Sequence, residues 1–267
     1  MALRGFCEKI IVRKEKSMKK TAFITGATSG IGRATALLLG KNGFKIIATG
    51  RRQERLDGLK KELSQHTEIH TLNFDVRDQK AVLNSINSLP KEWGNIDLLI
   101  NNAGNAHGLA SIENGNMEDW EAMIDINVKG LLYVSQPIIQ KMVAQKSGHI
   151  INIGSVAGKE AYANGNVYCA SKHAVDALNS SMRMDLNKFG IKVSQVAPGL
   201  VETEFSLVRF KGDEDRSQSV YEGFDALKAE DIADLILFMA TRPAHVNLAD
   251  VLIFPTAQAS STMVKKS

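Results

Sequence analysis

The chain has 267 residues, 44% of them hydrophobic, with five prolines, two cysteines and a formal net charge of +4. So much apolar material excludes disorder as the main state. Two thiols cannot frame a disulfide scaffold or a cysteine-rich metal site. The charge is uneven: residues 1–20 hold seven Lys and Arg against Glu8 and Glu15, a surplus of +5 that leaves −1 for the rest, and a near-neutral body does not fit a nucleic-acid partner.

In chain order, residues 1–18 read as a basic arm, or as a leader ahead of an alternative start at Met18. Their charges are too interspersed for a secretory signal. Thr21–Thr25 is expected as a buried strand, Ile31–Gly40 as a helix, Phe44–Thr49 as a strand and Gln53–Gln65 as a charged amphipathic helix. Ile69–Phe74 and Asp97–Asn101 are the third and fourth strands. One long helix is expected from Met117 to about Ala144, then a strand at His149–Gly154 and a helix at Tyr168–Lys188. Ile191–Ala197 is the sixth strand, stopped by Pro198-Gly199. The polar stretch from Leu200 to Lys228 shows no clear strand and reads as a mobile segment. Ala229–Ala240 is a helix and Val251–Phe254 a last short strand.

Strands rich in Val, Ile and Phe, each followed by a helix, predict an α/β fold: one doubly wound, Rossmann-type parallel sheet with helices on both faces. No linker divides residues 19–267, so a single domain is expected. No apolar run reaches the roughly 18 residues that cross a bilayer, so no membrane partner is expected, and two cysteines fit a reducing, cytoplasmic setting. The six histidines show no ligand spacing, which predicts no metal.

The first strand runs into Thr25-Gly26-Ala27-Thr28-Ser29-Gly30-Ile31-Gly32 and then a helix. Gly26 permits a tight turn, Gly30 lets backbone approach a pyrophosphate, and Gly32 lets helix and sheet pack closely. The helix N-terminus supplies free N–H groups and a positive dipole end. The end of the second strand reads the ribose. An acidic residue there accepts from the 2′-hydroxyl of NAD, but this chain has Gly50-Arg51-Arg52. Two guanidiniums pair with a 2′-phosphate, which favours NADP. The bland alternative, arginines at a solvated helix start, opposes the helix dipole.

Tyr168 and Lys172 are four apart on a helix and share a face. A free tyrosine, with a pKa near ~10, is a poor base, and a neighbouring ammonium favours its phenolate. Such a pair alone is common on helix surfaces. It gains weight beside Asn101-Asn102-Ala103-Gly104 after strand four, Asn127, Ser155 after strand five and Pro198-Gly199 after strand six, because ligands of open α/β sheets collect at the carboxyl ends of strands. His107 and the run Asp213-Glu214-Asp215 read as solvated loop residues, and Cys169 as a small buried hydrophobe.

With these motifs the chain resembles the short-chain dehydrogenase/reductase family over about residues 19–255. The resemblance implies that Tyr168 exchanges a proton with the substrate oxygen, Ser155 polarises that oxygen, Lys172 holds the nicotinamide ribose and lowers the tyrosine pKa, and Asn127 anchors a water chain. It implies NADP contacts at Gly26, Thr28, Ser29, Gly30, Ile31, Gly32, Arg51, Arg52, Asp75, Val76, Asn102, Ala103, Gly104, Tyr168, Lys172, Pro198, Gly199, Val201 and Thr203. The stretches A-T-G-R-R-Q-E-R-L, P-G-L-V-E-T-E-F-S-L-V-R-F-K-G-D and P-A-H-V-N are similar to a branch acting on 3-hydroxy acids such as serine, allo-threonine or 3-hydroxypropionate, usually as homotetramers. A reductase of 3-ketoacyl thioesters, a general carbonyl reductase, or a non-enzymatic NADP sensor are the alternatives. Arg209, a cation among apolar residues of the 200–228 segment, is the expected reader of a substrate carboxylate, alongside Ser155 and Tyr168.

Overall fold

The computed structural model describes residues 19–267, so the basic arm expected over residues 1–18 lies outside the described residues. Seven strands form one parallel sheet in the order β3 (Ile69–Asn73), β2 (Lys45–Gly50), β1 (Thr21–Ile24), β4 (Leu98–Asn101), β5 (Gly148–Ile153), β6 (Ile191–Pro198) and β9 (Asp250–Ile253). The doubly wound sheet expected from the sequence is therefore what forms. Two-residue strands β7 (Val201–Glu202) and β8 (Leu227–Lys228) pair separately, also in parallel.

The period of two along each strand splits the apolar side chains between two cores. Phe23, Ile47, Leu99, Ile150 and Val193 face α3 (Gln79–Asn87), α5 (Leu131–Gln145) and α6 (Asn166–Leu186). Ala22, Ile24, Ile46, Ala48, Leu98, Ile100 and Val196 face α1 (Gly30–Lys41), α2 (Gln53–Leu63) and α9 (Ala229–Ala240). Each such Ile or Phe, fully buried, contributes about 2 kcal/mol in removed apolar area. With both faces covered, the strands carry no polar alternation, which is why they read as continuous apolar runs.

The chain leaves β1 toward β2 and β3, then returns to β4 on the other side of β1. That reversal opens a crevice at the carboxyl ends of β1 and β4.

Three local expectations are corrected. The helix expected unbroken from Met117 is α4 (Met117–Ile124), a π-helical turn over Asp125–Gly130, and then α5. The polar stretch 200–228 does contain strand: β7 and β8 enclose the short helices α7 (Phe205–Arg209) and α8 (Glu214–Ser219). Asp213 is the N-cap of α8, its carboxylate accepting from Arg216 N at 3.0 Å, with Glu214 and Asp215 in the first turn. The acidic run thus starts a helix, where negative charge suits the dipole. Helix α3 was not expected. Its signals are Asp78, capping Ala81 N at 3.0 Å, and the buried pair Val82 and Ile86, four residues apart.

Candidate active site

The glycine-rich turn is shaped by its neighbour on β4. Gly26 has φ +64°, a left-handed conformation that disfavours side chains. A Cβ on Gly32 would lie 2.3 Å from the Gly26 carbonyl and 2.4 Å from Asn102 Nδ2. Asn102 Nδ2 donates to the Thr25 and Gly26 carbonyls at 2.9 and 3.2 Å. Thr25 Oγ1 accepts from both Asn102 N and Ala103 N at 2.9 Å. The two motifs are therefore one unit, in which N-N-A-G locks the turn that opens α1. Helix α1 begins with no acidic residue in its first turn and no side-chain cap from Ser29, which leaves its N-terminal N–H groups directed to the cleft.

A cavity of about 560 Å³ runs from this turn to Tyr168. Every residue expected to touch NADP lines it except Gly32, which lies behind the turn. Ser155 and Asn127 also stand behind the lining, while Arg209 is part of it.

At the far end of the turn, Arg52 Nη2 donates to Ser29 Oγ at 3.1 Å and Nη1 to Glu204 at 3.3 Å. Arg51 is 3.4 Å from Asp75. Burial alone would raise the Asp75 carboxyl, but hydrogen bonds and charge from Arg77, with Arg51 behind them, hold it below the usual carboxylate range. The Ser29 hydroxyl, the N-terminus of α1 and these guanidiniums form a donor set suited to a phosphorylated ribose and a pyrophosphate.

At the other end, Tyr168 is 8% exposed and Lys172 7%. Burial pushes the Tyr168 phenol well above its ordinary value and Tyr162 adds to that, while the Ser155 hydroxyl and the Arg209 guanidinium pull the other way. Burial brings the Lys172 ammonium down to about 8. Its Nζ donates to the Ile153 carbonyl at 3.0 Å, anchoring it to the end of β5. Ser155 follows that strand and accepts from Ala157 N at 3.1 Å.

Asn127 lies in the π turn, a distortion that concentrates at functional sites, and is 2% exposed. Its Nδ2 donates to the Asn105 carbonyl at 2.8 Å and to Ser171 Oγ at 2.9 Å, and its Oδ1 accepts from Asn105 N at 2.9 Å. Both amide hydrogens are thus spent on protein. In this geometry the side chain braces the loop after β4 against α6.

Arg209, on α7, donates from Nε to the Gly108 carbonyl at 3.2 Å. Its Nη2 is buried with no hydrogen-bond partner among the described residues. The guanidinium carbon is 5.5 Å from the Tyr168 ring centroid and 5.8 Å from that of Tyr162. His107 is half-buried rather than solvated, with Nε2 2.8 Å from Asn105 Nδ2, and is not part of the cavity wall. Cys169 is buried, as expected of a small hydrophobe.

Sequence reasoning missed Tyr162, Glu204 and Gln258 in the wall, and Arg55 and Arg77 beside it. Arg55 had a signal, one turn beyond Arg51 and Arg52 on α2. Gln258, which accepts from Leu200 N at 2.8 Å and so fixes the loop after Pro198-Gly199, had none. Among the described residues no group of three or more His, Cys, Asp and Glu side chains could hold a metal ion, and no helix is long and apolar enough to cross a membrane.

The chain is 47% identical over 236 residues to the NADP-dependent 3-hydroxy acid dehydrogenase YdfG of Salmonella typhi, spanning 88% of this chain and 94% of that protein. It is 44% identical over 245 residues to sulfoacetaldehyde reductase 2 of Chromohalobacter salexigens, spanning 91% and 97%. A closed form of serine dehydrogenase complexed with NADP+ superposes with a TM-score of 0.87 at 43% identity, over 92% of this chain and 99% of that one. Residues 20–213 match the short chain dehydrogenase family, and with these relatives at such coverage the chain belongs to it.

Proposed function

We propose that the protein is an NADP-dependent oxidoreductase that interconverts the hydroxyl and carbonyl forms of a small 3-hydroxy acid. The observation that carries the substrate class is Arg209, which lines the cavity that holds Tyr168 and whose Nη2 is buried and unpartnered among the described residues. An unpaired buried guanidinium nitrogen is costly and is relieved by an anion. The two enzyme relatives are named for substrates that share one feature. In a 3-hydroxy acid and in sulfoacetaldehyde, the reacting carbon is one carbon away from an anionic group. Arg209 beside Tyr168 suits such a molecule, with the anion on the guanidinium and the hydroxyl at the phenol.

The bound nicotinamide supplies the acceptor or donor of the hydride. In oxidation, Tyr168 takes the hydroxyl proton as the carbon gives up hydride. In reduction it returns that proton to the oxygen. Ser155 donates to the same oxygen and lowers the cost of ionising the buried phenol. Lys172, fixed to the Ile153 carbonyl, holds positive charge beneath the site. Asn127 keeps the loop after β4 and α6 in register. Arg52 and Ser29 would hold the ribose 2′-phosphate, and the first turn of α1 the pyrophosphate.

We also propose a cytoplasmic homotetramer built through α5 and α6, a reading that rests on the family resemblance. The deciding experiment for the substrate is turnover of NADP by purified protein with serine, allo-threonine, 3-hydroxypropionate and 3-hydroxybutyrate beside neutral alcohols of similar size. Higher kcat/KM for the acids supports the reading, and equal values for acids and alcohols overturn it.

A further inference from the structure

Glu204 stands immediately before α7, the helix that carries Phe205 and Arg209 to the substrate end of the cavity. Its carboxylate nevertheless points away from that end, to α2. It accepts from Arg55 Nη1 with both oxygens, at 2.7 and 2.9 Å, and from Arg52 Nη1 at 3.3 Å. Arg52 in turn holds Ser29 Oγ on the glycine-rich turn. One carboxylate therefore links the elements that face the cofactor ribose to the helix that faces the substrate.

Arg51 and Arg77 stand against Asp75, and Arg52 and Arg55 against Glu204, as two separate triads with ion-pair contacts of 2.7 to 3.4 Å. Together the two triads carry two positive charges in surplus. A ribose 2′-phosphate carries about −1.5 to −2 at neutral pH, which balances it. An unphosphorylated ribose leaves the surplus standing. The contacts also say which arginine stays with Glu204 when a phosphate arrives. Arg55 has the two short contacts, and Arg52, longer and shared with Ser29, is the one the phosphate can engage.

We infer that Arg55 and Glu204 are positioning residues: their ion pair ties α7 to α2, so that binding of the 2′-phosphate sets the position of the substrate-facing helix. Lone exposed ion pairs are worth little, but Glu204 is shared between Arg55 and Arg52, and the 2′-phosphate adds a second anion on Arg52. The inference rests on NADP as cofactor and not on the choice of substrate.

The test uses Arg55→Leu, Glu204→Gln, the double variant and Arg55→Lys. Hydrogen exchange of the α7 amides is followed in NADP-saturated protein, NADP affinity is measured by calorimetry, and KM and kcat are taken with the best substrate of the panel above. In both single variants α7 is expected to exchange at least threefold faster while α2 keeps its rate. Substrate KM should rise at least threefold, by more than kcat falls. NADP should bind tighter in Glu204→Gln, which loses a negative charge beside the phosphate, and weaker in Arg55→Leu. A general loss of structure would not move the two affinities in opposite directions. The double variant should match a single variant in α7 exchange, and Arg55→Lys should fall between wild type and Arg55→Leu. Wild-type exchange of α7 in both single variants, additive effects in the double variant, or weaker NADP binding in Glu204→Gln overturns the tie. Should the panel yield no substrate, the exchange and affinity measurements decide alone, and the failure then belongs to the substrate reading.

Discussion

The guanidinium carbon of Arg209 lies 5.5 Å from the ring centroid of Tyr168, with Arg209 Nη2 buried and unpartnered among the described residues. A cation this close to the phenol favours the phenolate, and an anion bound to it cancels that effect. On the proposed function Arg209 would therefore have two consequences for the same reaction: recognising the substrate and tuning the base.

Arg209→Ala should lower kcat/KM for a 3-hydroxy acid by tenfold or more, about 1.4 kcal/mol. For a neutral alcohol of similar size the loss should be much smaller. Disorder of α7 would depress both substrates alike, so the comparison separates the two explanations. Equal losses would remove Arg209 as the reader of the anion.

Tyr168→Phe keeps the ring and its 5.7 Å approach to Phe205 and deletes only the hydroxyl. Turnover should fall by at least a hundredfold, the low end of what a positioned proton donor contributes, with NADP affinity within a few-fold of wild type. Calorimetry for the cofactor and steady-state rates for turnover check the pair of outcomes. Appreciable turnover would mean that another group moves the proton.

Arg51 and Arg52 looked equivalent in the sequence, and the geometry separates them. Arg52 reaches Ser29, whereas Arg51 is turned to Asp75. A guanidinium–phosphate contact contributes on the order of 2 kcal/mol, about thirtyfold. Arg52→Ala should therefore lower kcat/KM for NADP by about that factor and leave NAD nearly unchanged, with Arg51→Ala less harmful. If wild type used both cofactors equally well, the assignment of this end of the cavity would be wrong.

What the sequence disclosed follows from which interactions are local. The parallel sheet was legible because strands buried on both faces are written as unbroken apolar runs. Tyr168 and Lys172 were legible because helical spacing places them together. Glu204 was not, since its partners Arg52 and Arg55 are more than 140 residues away in the chain and nothing in P-G-L-V-E-T-E-F says which glutamate crosses the cleft. The π turn that buries Asn127 was also hidden, because one extra residue per turn leaves the apolar pattern of α4 and α5 almost intact. Arg209 stood out by composition, but only packing could show that one of its nitrogens has no partner among the described residues.

Burial brings the Lys172 ammonium from an ordinary 10.5 down to about 8. Between those values the unfolded chain holds a proton at this site that the folded protein does not. Stability of the cofactor-free protein therefore rises with pH across this window, by about 1.4 kcal/mol per pH unit from this group alone. Below pH 8 both states are protonated and the buried ammonium carries its full desolvation cost. Above 10.5 neither is protonated and the cost is gone. Other lysines and tyrosines titrate in the same range, so the useful quantity is the difference between wild type and Lys172→Met, which keeps a similar length without the charge. Measured by urea unfolding at pH 7.5, 8.5 and 9.5, wild type should be the less stable of the two at the lowest pH and should close the gap as pH rises. A gap that stays constant over the three pH values would show that Lys172 titrates alike in both states, and that burial does not set its proton affinity.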